Sequence, residues 1–556
     1  MQRSPRFALA FVLLTALLPP ATLSADEFPR LLDPDVLGKI WATQRFVKTP
    51  APCLKAAELE KELRRLAALY PEHLKLEELG RSVEQRPIYR MTLGRGPTKV
   101  MLWSQMHGDE PSATPALLDL AHYLLGNKDS FAVSLVLERL TLIMVPMLNP
   151  DGAEVYTRRN RQGIDINRDA LNLATPEGRL LKGLRDAENP VLGFNLHDQN
   201  RRRSVGTSRV LATNAVLAVV GDEAKTLTPG RILAKKAAVA ISTALEPFAP
   251  GGLARYDDTF SPRSFGDNLT AWGTPVVLIE SGGVRPGASL EELTRLNFIA
   301  LGATLFELAL NGLEQRDAER YDAIPENNVD VYSDVLLRGG RLRQPGLAEP
   351  YRADIAFDRL RGDREAAGCQ PPGLPRSEIA ELGDARVFGA GIELDAAGEI
   401  LFPGFVVGTE GWAARKFLDD AALEQLAKLG VAQVRWVVAG RDLSAAADFA
   451  ALRRGRSRPR IEVTADRQAL PAKVLVRRPN PPANRQLGEL VRSLEEASRG
   501  GQGGDLDAAL AALWKNGPGL KYEGIASFLV ARAGKNLAAD SPVSRIFLDG
   551  VEIQAP

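Results

Sequence analysis

Short apolar runs alternate with amphipathic stretches along the first 325 residues of the chain. Four runs have the length and the flanking turn signals of buried strands, and they lie at residues 99–106, 139–147, 191–196 and 274–280. Four further stretches carry apolar residues at helical spacing, and they lie at 56–70, 111–125, 231–245 and 290–313. Strands that alternate with helices build a sheet covered on both faces. The pattern therefore predicts an α/β domain over residues 26–325.

The pattern changes after Ile324. Short β-like pieces separated by Gly, Pro and Asp turns predict a β-rich α+β accessory domain over residues 326–478. PNPPAN at 479–484 is typical of a linker, and two helical stretches predict a helical C-terminal region over 485–556. A chain of 556 residues exceeds what one hydrophobic core usually serves, which agrees with more than one domain.

The first 25 residues are typical of an export signal. Arg3 and Arg6 precede an apolar run over 7–18, and prolines and small residues follow it. A membrane anchor is the competing interpretation, but about 12 apolar residues fall short of the roughly 20 that span a bilayer. We expect removal of residues 1–25, no stable membrane span afterwards, and a periplasmic or secreted protein.

Composition excludes several classes of protein. The chain is 45% hydrophobic and 25% charged, as ordinary globular proteins are, and 70 basic residues balance 69 acidic ones. A chain with this balance has no net positive charge large enough to attract nucleic acid, so we expect no nucleic-acid partner. Cys53 and Cys369 allow at most one disulfide and no cysteine-based zinc site, and their pairing stays open, as does the oligomeric state.

Two of the four histidines close predicted buried strands. His107 stands in QMHGDEPSA with Glu110 three residues later, and His197 stands in FNLHDQN. His73 lies in a turn and His122 within a helix, where surface or packing roles are expected. Zinc accepts imidazole nitrogen and carboxylate oxygen, and a catalytic site leaves one position for water. The sequence therefore predicts a zinc site made by His107, Glu110 and His197.

Glu280 ends a fourth apolar strand, in VVLIESGG. Ligands of open α/β sheets bind beyond the carboxyl ends of strands, so this carboxylate should face the same crevice as the histidines. A paired structural acid is the alternative, but its own run offers no partner. We expect Glu280 to act as the general base.

At this point the chain resembles the zinc metallocarboxypeptidase family, that of carboxypeptidases A and B, over roughly residues 50–315. The resemblance rests on motifs in order: GRSVEQRPIYRMTLG (80–94), HGDE, NPDG (149–152), RRNRQGIDINRD (158–169), His197 and Glu280. It implies a mixed central sheet with helices on both faces. It also implies an exported hydrolase that binds one zinc ion per chain, needs no organic cofactor and cleaves peptides with a free C-terminal carboxylate.

The resemblance also implies substrate contacts. Asn167 and Arg168 fall where the family grips the terminal carboxylate, which suits the forked guanidinium of arginine. Arg161 falls at the family's carbonyl-polarising arginine, where it would stabilise an oxyanion. Arg86 and Arg158 resemble supporting arginines of the cleft, although a solvated basic loop is an equal interpretation for Arg158. The arginines at 201–203 fit a solvated loop better.

The loop before Glu280 departs from the family pattern. The family's mobile tyrosine falls near Phe260, which has no hydroxyl, so Tyr256 is the candidate in its place. Asp267 falls near the floor of the pocket for the terminal side chain, where a carboxylate favours a basic residue, but a turn residue is the alternative. Asp198 is either an acceptor that orients a ligand imidazole or a surface aspartate.

Three functions compete. The first is a metallocarboxypeptidase in which Glu280 takes a proton from zinc-activated water. The second is a zinc deacylase or amidase on the same fold, and the third is a non-catalytic binding relative. The segment at 80–94, which resembles the family's entry strands, and the NPDG turn favour the carboxypeptidase over the deacylase. The complete set of site residues argues against a non-catalytic protein.

Overall fold

The computed structural model describes residues 34–285, 288–328, 331–342, 351–359, 367–369, 377–397, 399–403 and 406–407, together with short strands between 433 and 553. The predicted export signal at 1–25 and the linker at 479–484 lie outside these residues. Within the part of the chain that is described, no helix combines the length and the apolar character needed to cross a bilayer.

An eight-stranded mixed sheet forms the centre of the first domain. Its strands are β1 (Leu74–Arg81), β2 (Pro87–Gly94), β3 (Thr98–Ser104), β4 (Leu140–Val145), β5 (Leu192–Asp198), β7 (Asn214–Ala218), β8 (Leu253–Arg255) and β9 (Val276–Ser281). They lie in the order β1-β2-β4-β3-β5-β9-β7-β8. The pairs β4/β3, β3/β5 and β5/β9 are parallel, and β1/β2, β2/β4 and β9/β7 are antiparallel.

Helices cover both faces of this sheet. They are α1 (Pro34–Gln44), α2 (Ala56–Leu69), α3 (Ala113–Gly126), α4 (Phe131–Arg139), α5 (Pro150–Val155), α6 (Pro176–Glu188), α7 (Pro229–Leu245), α8 (Phe265–Ala271), α9 (Glu291–Ala309) and α10 (Glu319–Asp322). Alternate residues of β3 enter different cores: Val100 and Leu102 pack with α3, α7 and α9, whereas Met101 and Trp103 pack with α6 and α8. This two-faced burial confirms the predicted α/β sheet.

A capping threonine and a proline mark the start of two of the helices. Thr175 precedes α6 and accepts a hydrogen bond from Gly178 N, and Thr228 precedes α7 and accepts one from Arg231 N. A proline occupies the first helical position in both cases. Hydroxyl caps and N-terminal prolines satisfy or remove backbone donors that a helix start leaves unpaired.

A second sheet follows the first domain. Its strands are β11 (Tyr332–Leu342), β12 (Tyr351–Arg359), β13 (Ser377–Gly383), β14 (Gly389–Asp395), β15 (Glu399–Pro403), β20 (Phe528–Arg532), β21 (Val543–Leu548) and β22 (Val551–Ile553). The β-rich C-terminal sheet is thus confirmed. Within 485–556 the described residues are strands, and the helices predicted there lie outside the described residues.

Shorter strands complete the described chain. The two-residue strands β6 (Ser204–Val205) and β10 (Asn327–Asn328) pair with each other. A further four-stranded sheet is made by β16 (Val406–Val407), β17 (Gln433–Trp436), β18 (Ile461–Ala465) and β19 (Ala472–Val474).

Two kinds of bond connect the second sheet to the first domain. Cys53 and Cys369 form a disulfide, which resolves the pairing that the sequence left open. Arg202, in the loop after β5, lies 3.0 Å from Asp334 and 3.2 Å from Asp358 of the second sheet.

Candidate active site

Three strand ends bring the predicted metal ligands and the predicted base together. His107 follows the end of β3, and Glu110 closes a turn on it through Glu110 N to His107 O. His197 lies in β5 and Glu280 in β9, where they are paired neighbours in the parallel ladder. The carboxyl ends of β3, β5 and β9 therefore form one site, as the sequence predicted.

The ligating atoms of His107, Glu110 and His197 lie within 4.8 Å of one another, and all three residues are buried. His107 Nδ1 lies 2.8 Å from Glu110 Oε1, and His197 Nδ1 lies 2.6 Å from Glu110 Oε2. The two Nδ1 atoms are 3.2 Å apart. Two imidazoles and one carboxylate around a common point match the donor set of a catalytic zinc site.

Asp165 holds the far side of His107. Its Oδ1 lies 3.0 Å from His107 Nε2, so Nδ1 is the nitrogen left for a metal. Its Oδ2 accepts from Arg158 Nε at 2.9 Å, and its own backbone begins the turn of residues 166–168. Metal-binding histidines commonly donate a hydrogen bond from the N–H of their second ring nitrogen to a carboxylate in this way.

The charge state of Glu110 suits a metal ligand. Burial by itself raises the pKa of this carboxyl, but His107 and His197 outweigh that effect and hold the pKa well below its usual range. Glu110 is therefore ionised, and the residues present fit a divalent cation.

The pKa of Glu280 is shifted in the opposite direction to that of Glu110. Burial raises its pKa well above the usual range, and the negative charges of Glu110 and Asp198 raise it further. Arg158 and Arg203 oppose the shift. A carboxylate that binds a proton more readily than usual is suited to general-base chemistry.

One pocket of about 680 Å³ contains the cluster and Glu280. Of the other predicted site residues, it is lined by Arg158, Asn167, Arg168, Tyr256 and Asp267, whereas Arg86 and Arg161 do not line it.

Asn167 and Arg168 are fixed against the start of α8. Asn167 Oδ1 accepts from Phe265 N at 2.9 Å, and Arg168 donates to Ser264 Oγ at 3.1 Å. Asp267, in the first turn of α8, accepts from Ser261 N at 2.8 Å. The structure thus places a guanidinium and a carboxylate on the same wall of the pocket.

Arg158 and Arg161 differ in their surroundings. Arg158 donates to Glu110 Oε1 at 3.0 Å and reaches the ligand cluster. Arg161 is exposed and pairs with Glu84 at 2.6 Å, outside the pocket. Of these two arginines, only Arg158 lines the pocket and contacts the ligand cluster.

Arg86 has a different task. It pairs with buried Asp151 at 2.6 Å, and Asp151 also accepts from Ser82 Oγ at 2.7 Å and from Glu84 N at 2.9 Å. These bonds fasten the turn between β1 and β2 to the NPDG segment at 149–152. Arg86 thus stabilises this turn and does not line the pocket.

The HGDE and NPDG segments meet backbone to backbone. A Cβ on Gly108 would lie 2.0 Å from the carbonyl carbon of Gly152, a distance that allows only glycine. Asn149 caps α5 by accepting from Gly152 N. This close approach packs the segment that carries His107 and Glu110 against α5.

Tyr256 and Phe260 both line the pocket. Burial raises the pKa of the Tyr256 hydroxyl, and the Glu280 charge adds to the shift. The Arg203 guanidinium lies over the Tyr256 ring, 5.3 Å from its centre.

Sequence reasoning missed Asp165, Asn195 and Arg203. Asp165 stands within the segment 158–169, two residues before Asn167, and that position was its only signal. Asn195 precedes His197 by two positions on β5, so period-two alternation directs both to the same face. Asp198, by contrast, accepts from Ser112 N and Ser112 Oγ, and burial raises its pKa to about 7.

The fold and the site define a mixed α/β protein with a buried His-Glu-His ligand cluster and a carboxylate beside it. Residues 59–178 match the sequence model of the zinc carboxypeptidase family. Together with the similarity to carboxypeptidases, this match makes this part of the chain similar to the zinc metallocarboxypeptidase family.

Curated relatives resemble the same part of the chain. Carboxypeptidase D of Anas platyrhynchos is 33% identical over 129 residues, which are 20% of this chain and 9% of that protein. Carboxypeptidase SOL1 of Arabidopsis thaliana is 30% identical over 148 residues, which are 23% of this chain and 30% of that protein. The chain thus spans less than a third of the length of these relatives, and their activities bear on it only as a proposal.

Solved structures show a more distant likeness. A metallo-carboxypeptidase from Burkholderia cenocepacia has a TM-score of 0.37 at 18% identity and covers 46% of this chain and 69% of its own. Carboxypeptidase A from Helicoverpa armigera has a TM-score of 0.40 at 15% identity and covers 51% and 81%.

Proposed function

We propose that the chain is a zinc-dependent metallocarboxypeptidase that removes C-terminal residues from peptides. The observation that carries the proposal is that one pocket contains the His107, Glu110 and His197 cluster, the base candidate Glu280 and the carboxylate-binding candidate Arg168. The match of residues 59–178 to the zinc carboxypeptidase model supports the same activity.

His107, Glu110 and His197 would hold the zinc ion, which supplies water activation and polarisation of the scissile carbonyl when bound. Asn167 and Arg168 bind the terminal carboxylate through charge-assisted hydrogen bonds, which places the last peptide bond beside the cluster. Glu280 accepts a proton from the attacking water and passes it to the leaving amine.

We assign stabilisation of the carbonyl oxygen to Arg158, since it lines the pocket and contacts Glu110, whereas Arg161 does not line it. Tyr256 is the aromatic residue proposed beside the scissile bond, because it lines the same pocket as Glu280 and carries a hydroxyl, which Phe260 lacks. Asp267 is proposed to favour a basic or amino-bearing terminal side chain.

We further propose that the protein is exported to the periplasm or secreted. The signal-like pattern of residues 1–25 supports this, and so does the disulfide between Cys53 and Cys369, because disulfides persist mainly in oxidising compartments.

The test is mass spectrometry of products from paired peptides with free and amidated C-termini, combined with metal analysis of the purified protein. We expect about one zinc per chain and loss of single residues from free termini only. Equal cleavage of amidated peptides would favour a deacylase or amidase, and absence of bound metal and of turnover would favour a binding protein.

Variants assign the roles. Glu280→Gln should keep the metal and lower kcat by about 10²- to 10⁴-fold. Exposed Glu138, which does not line the pocket, provides the matched control Glu138→Gln. Arg168→Ala should weaken cleavage of free-carboxylate peptides by roughly ten- to a hundredfold. Full activity of Glu280→Gln would exclude the proposed base.

A further inference from the structure

Three arginines line the pocket, and they differ in what neutralises them. Arg158 pairs with Glu110 and Asp165. Arg168 donates to Asn167 O and Ser264 Oγ, and the proposed function gives it the terminal carboxylate. Arg203 forms no ion pair with a described residue, and its Nε atom is buried without a hydrogen-bond partner.

The surroundings of Arg203 hold it at the pocket. Arg203 O accepts from Ala212 N at 2.7 Å, and Arg203 N donates to Asn200 O at 3.3 Å. Its guanidinium stacks over the Tyr256 ring. A cation–π contact holds a guanidinium in place. It does not use the N–H donors that point away from the ring, so these can still bind a ligand.

The neighbouring arginine takes a different direction. Arg202 pairs with Asp334 and Asp358 of the second sheet, so it is not part of a uniformly solvated basic loop. The expectation of a solvated run at 201–203 thus does not describe Arg203, which lines the pocket beside Tyr256.

Burying part of a charged guanidinium whose Nε has no partner costs free energy. A carboxylate ligand would offset this cost through charge-assisted hydrogen bonds. The peptide terminus supplies one carboxylate, and Arg168 takes it. We infer that Arg203 is a specificity-determining residue that binds a second substrate carboxylate, carried by an acidic side chain at the residue before the terminal one, since Asp267 is proposed for the terminal side chain. This inference rests on the proposed carboxypeptidase function.

The test compares matched peptides with a free C-terminus that differ only by Glu or Gln, placed either at the terminal position or at the position before it. Wild-type protein, Arg203→Gln, Arg203→Lys and the control Arg159→Gln are measured by kcat/KM. Arg159 is exposed and does not line the pocket, so its variant removes one positive charge elsewhere.

Wild-type protein should prefer the Glu peptide by about tenfold or more at the position before the terminal one, and not at the terminal position. Arg203→Gln should bring this ratio close to one, Arg203→Lys should keep part of it, and Arg159→Gln should keep all of it. A preference for Glu at the terminal position instead would contradict the assignment.

A wild-type protein that cleaves Glu and Gln peptides equally would overturn the inference without the need for any variant. It would also be overturned if Arg203→Gln slowed both peptides alike, because that result assigns Arg203 to the support of Tyr256 or Glu280. If no peptide were cleaved at all, the proposed function itself would fail.

Discussion

The buried carboxylate of Asp165 shows how one side chain organises two others. It fixes the orientation of the His107 ring at Nε2 and holds Arg158 at Nε. His107 and Arg158 also outweigh the effect of burial and lower the pKa of Asp165, so it is an anion that complements both. Its loss should therefore affect metal affinity and the arginine together.

Asp165→Asn should lower zinc affinity by roughly 10- to 100-fold, since loss of a carboxylate behind a ligand imidazole has that typical effect. Competition with a chelator measures the affinity directly. Asp129→Asn, at an exposed aspartate paired with Lys128, is the control and should leave the affinity unchanged. Unchanged affinity in both variants would remove Asp165 from the metal site.

The pocket carboxylate Asp267 gives a pH dependence. Burial raises its pKa to about 6, so it is mostly protonated below that pH and negative above it. The ratio of kcat/KM for a terminal Lys peptide to that for a terminal Leu peptide should therefore rise as pH increases through about 6. The ratio cancels the titration of Glu280, which affects both peptides. Asp267→Asn should give a flat ratio, and a flat wild-type ratio would contradict the specificity role.

Residue-scale prediction from sequence succeeded where position along a strand decides the direction of a side chain. His107, His197 and Glu280 were predicted from strand ends, and the structure brings them together. Arg161 was predicted from its place in an irregular loop, where strand periodicity gives no direction, and the structure brings Arg158 rather than Arg161 to the ligand cluster. Asp198 adjoins a ligand in sequence, but its Oδ2 accepts hydrogen bonds from Ser112.

At the scale of elements, the contact between Gly108 and Gly152 joins two segments that are far apart in sequence. One segment carries His107 and Glu110, and the other begins α5 and holds the turn of β1 and β2 through Asp151. The two loops can approach this closely because neither residue has a side chain.

Gly108→Ala should destabilise the protein by several kcal/mol, because the added Cβ would lie 2.0 Å from backbone that cannot retreat without moving the ligand loop. Thermal unfolding and zinc content report the effect. The control is Gly183→Ala in α6, where a Cβ meets nothing within 4 Å. That variant should be more stable by about 0.5–1 kcal/mol. Equal stability of both variants would contradict the close contact.

The strands and helices of the first domain were predictable because burial on two faces gives strong apolar periodicity. The segment predicted at 99–106 became β3 and that predicted at 274–280 became β9. The two-residue strands β6 and β10 were not predictable, since two residues are too short for a periodic pattern and the strands pair across more than a hundred residues of chain.

At the scale of the whole molecule, a disulfide and a set of ion pairs connect the first domain to the second sheet. The sequence separation of 316 residues between Cys53 and Cys369 made the pairing undecidable from spacing alone. Arg202 adds a charged contact to Asp334 on the same sheet. Neither cysteine lines the pocket, so the disulfide stabilises the assembly without taking part in the site.

Replacement of Cys53 and Cys369 by serine should lower the free energy of unfolding by roughly 2–5 kcal/mol, as removal of a disulfide typically does. Calorimetry with and without reductant measures the change. The wild-type protein should lose stability on reduction and the serine variant should be insensitive to it. Peptide cleavage at 25 °C should be the same in both, and a loss of zinc from the serine variant would contradict this separation.

The distance between the two cysteines along the chain also affects how the protein is made. Ribosomes add about 5–20 residues per second, so Cys53 emerges roughly 15 to 60 seconds before its partner. During that interval the thiol has no competing cysteine in its own chain, because the sequence contains only two. A wrong disulfide can therefore form only with another molecule, and yield of the native protein should depend on chain concentration during oxidation.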